Sequence, residues 1–238
     1  EKEQYDQFQA SGNLGVTDML YKTSGSPDIN IKTLAMNFTP KFVELTKFDG
    51  KIGKSDMVAN GRLDNLLQYV FKDSLLKGTF DMKSGVMDLN EFMGEEETAA
   101  TPAQPAPPAE DMAVIEVPAN LDFRLSTTIG KLLYDNLVMQ NVSGGVTIRN
   151  RKVDLSQLVL NMMGGKMVLN GSYATTGKTP AIDFKMDVTD FDIQQTFTAF
   201  NTIQKLAPIG KNARGKFSTT LDFKTDLDNK MMPVMESV

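Results

Sequence analysis

The sequence predicts a mainly β protein with a few helices, in which repeated antiparallel strands form one extended sheet with an apolar face. One basis for this prediction is that most of the chain alternates apolar and polar residues with a period of two, typical of strands with one apolar face. The other is that residues 57–61 (MVANG) return as residues 167–171 (MVLNG). A repeated unit that cannot bury its apolar face alone stacks on its neighbours, so we expect one continuous sheet.

The residues that flank this repeat keep the same register. After the first copy, residues 80–89 read FDMKSGVMDL, and after the second copy residues 184–193 read FKMDVTDFDI. In both segments Met follows Phe at the same spacing, and each segment ends on a large apolar residue, Asp, and then Leu or Ile. A weaker echo pairs residues 121–125 (LDFRL) with residues 221–225 (LDFKT).

Each copy of the pentapeptide ends in Asn-Gly, with the asparagines at Asn60 and Asn170. Asn-Gly is a strong signal for a hairpin turn. The alternation resumes directly after each pair, so the glycine can instead mark a bulge or bend inside one strand. We favour the bulge, and either interpretation gives Asn-Gly a structural role.

The period-two segments provide the strand candidates. Pro40 separates the first two of them, because proline cannot donate to the hydrogen-bond ladder of a sheet. Residues 145–160 alternate on both sides of 149–152, which predicts a hairpin. In chain order the candidates are INIKTLAMNF (29–38), FVELTKF (42–48), DMVANGRL (56–63), LDFRLSTTI (121–129), GVTIRNRKVDLSQLVL (145–160), AIDFKMDV (181–188) and GKFSTTLDF (215–223).

Two segments have helical spacing of their apolar residues instead. The first is RLDNLLQYVF (62–71). The second is DIQQTFTAFNTIQKL (192–206), which follows a capping Asp at position 190 or 192 and stops before Pro208. We expect one or two amphipathic helices that cap the sheet or bury a stripe on it, in preference to a helix that contacts a membrane.

An acidic, Ala- and Pro-rich segment, 94–117, divides the chain. It has almost nothing to bury, so we expect a disordered insertion, with a polyproline recognition site as the alternative. The first β-repeat unit then spans 1–93 and the second spans 118–238, with a helix near 192–206. Because the sequence opens at Glu1 in a charged run without an initiator Met or a signal peptide, we expect it to be a segment of a longer protein.

The composition argues against most catalytic and nucleic-acid-binding functions. The chain has no Cys and no His, which removes thiolate chemistry and the commonest general base and metal ligand, and its net charge is -5. Asp190 and Asp192 are conceivable as a carboxylate pair for glycoside hydrolysis, but a strand end and a helix cap explain them better. Residues 226–230 lack the Gly and Glu of a calcium loop. We expect no enzyme, no metal, no cofactor and no nucleic-acid partner.

The apolar sides of the predicted strands carry Phe, Leu, Ile and Val together with many of the 15 Met residues. Met is flexible and packs against exchangeable apolar partners, although each single Met is also consistent with an ordinary core. A sheet that curls without closing leaves an apolar trough. An acyl chain fills such a trough at about 0.8 kcal/mol for each buried methylene.

Longer segments resemble a known family. Residues 141–173 (NVSGGVTIRNRKVDLSQLVLNMMGGKMVLNGSY), followed by an alternating strand and by DFDIQQTF (190–197), resemble the C-terminal region of AsmA-like proteins. Residues 41–67 (KFVELTKFDGKIGKSDMVANGRLDNLL) and 82–92 (MKSGVMDLNEF) resemble the preceding unit in the versions from Bacteroidetes. The likeness covers all but the Pro-rich segment and the N-terminal residues, and the order and spacing of the motifs carry it.

The resemblance implies a curled, taco-like sheet with an apolar concave face. It also implies a periplasmic protein of the Gram-negative cell envelope, held in the inner membrane by an N-terminal helix that this fragment lacks. Its implied role is to shelter phospholipid acyl chains in an apolar groove, and so to contribute to phospholipid transport between the two membranes and to outer-membrane homeostasis. The alternative is an envelope scaffold that assists outer-membrane protein assembly through protein contacts. The resemblance assigns groove-facing character to Leu121, Phe123, Leu125, Ile148, Leu155, Ile182, Phe184, Met186, Val188, Phe217 and Leu221.

Overall fold

The protein is mainly β, as expected: one mostly antiparallel sheet of eleven strands with two short helices. The order of the strands in the sheet is their order in the chain. The computed structural model describes residues 10–23, 25–92, 114–200, 204, 208–228, 231, 233 and 234. The strands are β1 (Gly12–Tyr21), β2 (Ile29–Phe38), β3 (Phe42–Ile52), β4 (Ser55–Asp64), β5 (Leu76–Asp88), β6 (Leu121–Tyr134), β7 (Leu137–Arg149), β8 (Lys152–Met162), β9 (Gly165–Ala174), β10 (Ala181–Asp192) and β11 (Lys216–Asp226).

Neighbouring strands pair antiparallel throughout, except that β5 and β6 run parallel. That parallel pair joins the strands before the Pro-rich segment to the strands after it. The helix α1 (Leu66–Lys72) connects β4 to β5 at one end of the sheet. The helix α2 (Ile193–Ala199) follows β10 at the opposite end, beside the 3-10 turn η2 (Pro208–Lys211), and another 3-10 turn, η1 (Leu89–Glu91), follows β5 beside β6.

The sheet is open, and it does not have the strong, taco-like curl that was expected. β1 and β11 are the two edge strands of the described sheet, which is neither closed nor strongly curled. A strong curl would bring non-adjacent strands into contact, whereas each described strand packs mainly on the strands to which it is hydrogen-bonded. The period-two pattern specifies which side of a strand is apolar, but it does not specify how far the sheet bends.

The first predicted helix is shorter than its apolar spacing indicates. Leu63 lies in β4, where it pairs with Val43 and Gly78, so it does not belong to the helix. Asn65 follows with a φ of 67°, and this left-handed residue separates the strand from α1. The spacing of Leu63 from the helical leucines therefore reflects two consecutive elements rather than one.

The second predicted helix, near 192–206, is observed as Ile193–Ala199. Asp192 is its N-cap, because the Asp192 carboxylate accepts the backbone N–H of Gln195 at 2.8 Å. Phe200 ends the helix with an extended backbone. Most of the remaining predicted stretch lies outside the described residues.

Most of the predicted insertion, 94–117, also lies outside the described residues. Its last residues make defined contacts with the second half of the sheet. Val117 is buried and donates its N–H to the Thr175 hydroxyl at 3.2 Å, and the Ile115 carbonyl accepts the Tyr173 hydroxyl at 2.9 Å. The packed chain therefore resumes before the predicted boundary at 118.

The repeated Asn-Gly pairs lie inside strands, so their interpretation as hairpin turns is wrong. Residues 60–61 lie within β4, and residues 170–171 lie within β9. The bulge is in the neighbouring strand: residues 46–47 of β3 face Asn60, and residues 156–157 of β8 face Asn170. The repeat in sequence is therefore a repeat of strand, bulge and register.

The side chain of Asn170 completes its bulge. Gln157 has a φ of 48°, and its backbone N–H donates to Asn170 Oδ1 at 2.8 Å. A bulge interrupts the ladder and leaves a backbone group without a strand partner. Asn170 supplies that partner from the adjacent strand, which gives this asparagine a structural role.

A phenylalanine on the next strand covers each glycine of the motif. Gly61 pairs with Phe80, and Gly171 pairs with Phe184. A Cβ at either glycine would collide with the ring of the paired phenylalanine. The glycine lets the ring lie flat across the strand, so the Asn-Gly and Phe positions of the repeat form one packing unit.

Asp56 bridges β4 and β5 where their ladder ends. Its two carboxylate oxygens accept the N–H groups of Gly85 and Val86 at 2.8 and 2.6 Å. Burial alone raises the pKa of the Asp56 carboxyl. The backbone N–H donors and Lys51 together lower it by more than burial raises it, so this pKa lies below its usual value. Asp56 therefore favours the folded state when it is ionised.

We expect Asp56→Asn to destabilise the protein at neutral pH and to have a smaller effect in acid. A group with a depressed folded-state pKa stabilises above its unfolded pKa, and this contribution is lost as the pH falls through the folded-state value. Urea unfolding of both proteins at pH values on either side of about 3.9, the ordinary Asp pKa, measures the difference. Asp81→Asn, at an exposed position on β5, is the control. A stability difference that does not change with pH would contradict the role given to Asp56.

Candidate functional site

The candidate site is one face of the sheet, and the strand register defines it. Directly paired residues lie on the same face, and successive residues alternate between faces. A single row of pairs crosses all eleven strands and contains only Leu, Met, Val, Phe and Gly; we call the side of the sheet that carries it the apolar face. The row is Leu14, Met36, Leu45, Gly61, Phe80, Leu125, Val146, Leu155, Gly171, Phe184 and Phe223.

The adjacent row of pairs points to the other side and is polar in every strand. We call that side the polar face. Its contrast with the apolar row shows that the alternation predicted from the sequence is maintained across the whole width of the sheet. The polar row is Asn13, Asn37, Glu44, Arg62, Thr79, Arg124, Thr147, Asp154, Ser172, Asp183 and Lys224.

All of the residues to which the sequence assigned groove-facing character lie on the apolar face. Those on β10 are continuous with the row through Phe184, and Phe217 joins them by pairing with Phe191 across a bulge. Phe123 stacks on Phe80 with ring centroids 6.2 Å apart, so the apolar face continues across the parallel pair β5 and β6. By strand, the residues are Leu121, Phe123 and Leu125 on β6, Ile148 on β7, Leu155 on β8, Ile182, Phe184, Met186 and Val188 on β10, and Phe217 and Leu221 on β11.

The apolar face is packed near α2 and open at both edges of the sheet. Val188 and Phe191 are buried at 6% and 2% exposure, in a cluster to which Phe200 also packs. At the β11 edge, Leu221 and Phe223 are 49% and 44% exposed. The residues of β1 on this face are similarly exposed. The structure therefore has a buried core under one end of the apolar face and an accessible apolar surface beyond it.

A cavity of about 550 Å³ opens at the α2 end of the sheet. The β6–β7 turn, the β8–β9 turn and α2 line it. The lining combines uncharged polar and apolar side chains. Its lining residues are Asn136, Leu137, Val138, Met162, Met163, Gln194, Gln195, Thr198 and Ala199.

A second cavity, of about 360 Å³, lies at the α1 end and is almost entirely apolar. It is bounded by the turn between β2 and β3 and by the start of α1. The two cavities extend the apolar face at opposite ends of the strands. The second is lined by Ala10, Met36, Phe38, Thr39, Pro40, Phe42, Val43, Leu66 and Leu67.

Two hydroxyl groups lie on the apolar face near the junction of β5 and β6. Ser84 Oγ and Thr127 Oγ1 are out of contact with solvent and have no hydrogen-bond partner among the described residues. Because they are covered, they do not interrupt the accessible apolar surface. These two hydroxyls lower the stability of the folded protein, since a buried unpaired hydroxyl is unfavourable.

The polar face carries charge pairs between neighbouring strands. Arg149 on β7 holds Asp122 on β6 through two guanidinium nitrogens at 2.8 to 2.9 Å. Lys224 on β11 lies 3.6 Å from Asp183 on β10. Exposed pairs of this kind add little stability, so the polar face serves mainly as a solvated surface.

The two aspartates considered for hydrolysis lie at a helix cap and at the end of a strand. Asp192 caps α2, and Asp190, with a φ of 57°, donates its backbone N–H to the Ser218 hydroxyl at 3.0 Å. Within the described ranges, no group of three or more His, Cys, Asp or Glu side chains is placed to hold a metal ion. No helix in the same part of the chain is long and apolar enough to cross a membrane.

Three strands and one cavity of this site were not predicted from the sequence. β1, β5 and β9 are absent from the strand candidates, and in β1 the ladder to β2 skips Asp18 and the alternation changes phase there. The cavity beside α2 forms between elements that are far apart in sequence, and a period-two pattern contains no signal for it. No family model, no curated protein and no solved structure matches the chain. What the apolar face binds is therefore inferred from its chemistry.

Proposed function

We propose that the chain is a non-enzymatic periplasmic module of an AsmA-like protein, which contributes to phospholipid transport between the inner and outer membranes and to outer-membrane homeostasis. In this proposal an N-terminal helix anchors the parent protein in the inner membrane, and the acyl chains of phospholipids occupy the apolar face. The observation that carries the proposal is the apolar row, which continues from Leu14 to Phe223 through all eleven strands.

The dimensions of the face support an acyl cargo. Strands lie about 4.8 Å apart, so eleven strands make an apolar face roughly 50 Å wide. One leaflet of a bilayer has a hydrocarbon depth of about 15 Å. A lipid held on the face can therefore shift from strand to strand while its acyl chains stay on apolar surface. Each methylene that leaves water contributes about 0.8 kcal/mol.

The openness of the sheet changes how the cargo is held. A closed or strongly curled sheet surrounds an acyl chain, whereas this sheet offers it one face. The edges carry the accessible part of that face, as at Leu221 and Phe223. We propose that a lipid first contacts these exposed edge residues. The packed cluster around Phe191 supports the sheet.

Lipid binding is tested with Leu221→Asp, and Thr128→Asp is the matched control. Both native residues are exposed on strands, but Leu221 lies on the apolar face and Thr128 lies on the polar face. The probe is a fluorescent phosphatidylethanolamine, and the readouts are its binding curve and native mass spectrometry of the complex. We expect a defined lipid ratio for the native chain and for Thr128→Asp. Leu221→Asp is expected to weaken binding about tenfold, because about 1.4 kcal/mol of apolar contact is lost.

The result can also contradict the proposal. If both variants bind lipid equally well, the lipid does not bind at the apolar face. If the native chain binds no lipid, this chain is not a lipid-binding module. The alternative function is a scaffold for outer-membrane protein assembly, and the position of β1 as an edge strand among the described residues favours it. A saturable complex with an extended peptide, in the absence of lipid binding, would support that alternative.

A further inference from the structure

The hydroxyls of Ser84 and Thr127 differ from the other buried polar groups that the structure describes. Ser84 is 8% exposed, and neither its Oγ nor Thr127 Oγ1 has a hydrogen-bond partner among the described residues. An unpartnered buried hydroxyl is unfavourable unless another molecule supplies the missing hydrogen bond. The other buried polar residues of the described chain all have partners within the protein: Ser55, Asp88, Thr175, Thr196 and Thr225.

The strand register places the two hydroxyls diagonally beside each other on the apolar face. Ser84 on β5 pairs with Ile129 on β6, and Thr127, two residues before Ile129, pairs with Met82. Diagonal neighbours of this kind have Cβ atoms roughly 7 Å apart. A single oxygen atom that lies between the two side chains can therefore accept from both hydroxyls at the usual O–O distance of about 2.7–2.8 Å.

The surroundings of this hydroxyl pair are apolar and adaptable. Met57 and Met82 pack against the buried cluster that contains Ile129. Met57 lies next to the last pair of the β4–β5 ladder, on the side of Ser84, and Met82 has Ala59 as its β4 partner. Methionine is unbranched and flexible, and the small alanine leaves space beside it. We therefore expect Met82 to turn aside when a ligand reaches the hydroxyls.

We propose that Ser84 and Thr127 donate hydrogen bonds to the carbonyl oxygen of an acyl ester, the group that joins the fatty acids of a phospholipid to its glycerol. This inference rests on the proposed function, and it assigns one chemical group of the lipid to one position on the apolar face. An ester carbonyl accepts hydrogen bonds, carries no charge and is attached to a hydrocarbon chain. It therefore matches two hydroxyl donors within an apolar surface.

A phosphate or a free carboxylate does not match this position. The strand partners of Ser84 and Thr127 are Ile129, Met82 and Gly144, none of which carries a positive charge. A buried charge without a partner of opposite charge is strongly unfavourable. The charged headgroup of the lipid therefore lies away from the hydroxyl pair, and the ester is the polar group that lies at it.

The test compares a diacyl phosphatidylethanolamine with a dialkyl one, whose ether linkages lack the carbonyl oxygens. We expect the native chain to bind the ester-linked lipid about three- to tenfold more tightly, the effect of one hydrogen bond. The double variant Ser84→Ala/Thr127→Val has side chains of similar size and should bind both lipids equally. Thr128→Val is the matched control, because it removes an exposed hydroxyl from the polar face, and it should keep the ester preference.

Infrared spectroscopy of the bound lipid gives a readout that a merely structural role would not change. A hydrogen bond lowers the stretching frequency of an ester carbonyl, so this frequency should be lower on the native chain and on Thr128→Val than on the double variant. Urea unfolding of the lipid-free proteins is the second measurement. The double variant should be at least as stable as the native chain, because its hydroxyls have no partners to lose.

Three results would overturn the inference while the proposed function stands. They are equal affinity of the native chain for the two lipids, an ester preference that the double variant keeps, and a clear loss of stability in the lipid-free double variant. The first two would leave water as the partner of the hydroxyls, and the third would mean that the hydroxyls are paired within the protein. If the native chain binds neither lipid, the inference and the proposed function fail together.

Discussion

Replacing Phe191 with alanine is expected to lower the free energy of unfolding by about 3–5 kcal/mol. Phe191 is 2% exposed, and its ring meets Phe217 edge to face with centroids 6.2 Å apart. It belongs to the buried cluster that also contains Val188 and Leu160. The neighbours of Phe191 come from several strands, so they cannot collapse fully into the space that the ring leaves.

Phe223→Ala is the matched control for this prediction. Phe223 is also a phenylalanine of the apolar face, but it is 44% exposed on an edge strand. Its truncation removes less buried surface and leaves no enclosed cavity, so we expect a loss well below that of Phe191→Ala. Urea unfolding followed by circular dichroism measures both. Equal losses would mean that the cluster near α2 is no better packed than the open edge.

The position of Phe191 also links stability to the proposed lipid site. Phe191 directly precedes Asp192, which caps α2, and α2 forms one wall of the larger cavity. Loss of the ring should loosen the end of β10 and with it the placement of α2. A lipid-binding defect in Phe191→Ala is therefore indirect, and a defect in Leu221→Asp is direct. Limited proteolysis near α2 separates the two, because only the first variant should become more sensitive.

The assignment of faces was accessible from the sequence because strand geometry has a fixed period. In β10, Ile182, Phe184, Met186 and Val188 alternate with polar residues, and they all lie on one face as expected. The predicted hairpin turn at 149–152 is confirmed as well, with Arg149 paired to Lys152. Local alternation determines such features, so no long-range information is needed.

Features that depend on interrupted alternation or on distant contacts were not accessible in the same way. The phase change at Asp18 concealed β1, and the bulges in β3 and β8 lie one strand away from the Asn-Gly pairs that accompany them. The sequence predicts antiparallel strands, and the parallel pairing of β5 with β6 departs from that prediction. The degree of curl depends on twist summed over many strands. These are properties of the assembled sheet.

The repeated glycine provides the second large effect. Gly171→Ala is expected to destabilise the protein by about 1–3 kcal/mol, because the new methyl group and the Phe184 ring cannot occupy the same space. Gly145→Ala is the control, since a Cβ there has its nearest neighbour at an ordinary 3.7 Å. It should be neutral or slightly stabilising, because alanine restricts the unfolded chain. Thermal and urea unfolding report both changes.

A double-mutant cycle with Phe184→Leu tests whether the ring is the cause. If Phe184 covers Gly171 as the paired register places it, shortening the side chain opens room for the methyl group. Gly171→Ala should then be less destabilising in the Phe184→Leu background than in the native one, by more than the 0.3–0.5 kcal/mol typical of independent sites. Additive effects would show that another neighbour excludes the methyl group. The outcome also bears on function, because a ring fixed by the strand beneath it presents a pre-organised apolar surface to an acyl chain, whereas a mobile ring would have to be ordered by the lipid at an entropic cost.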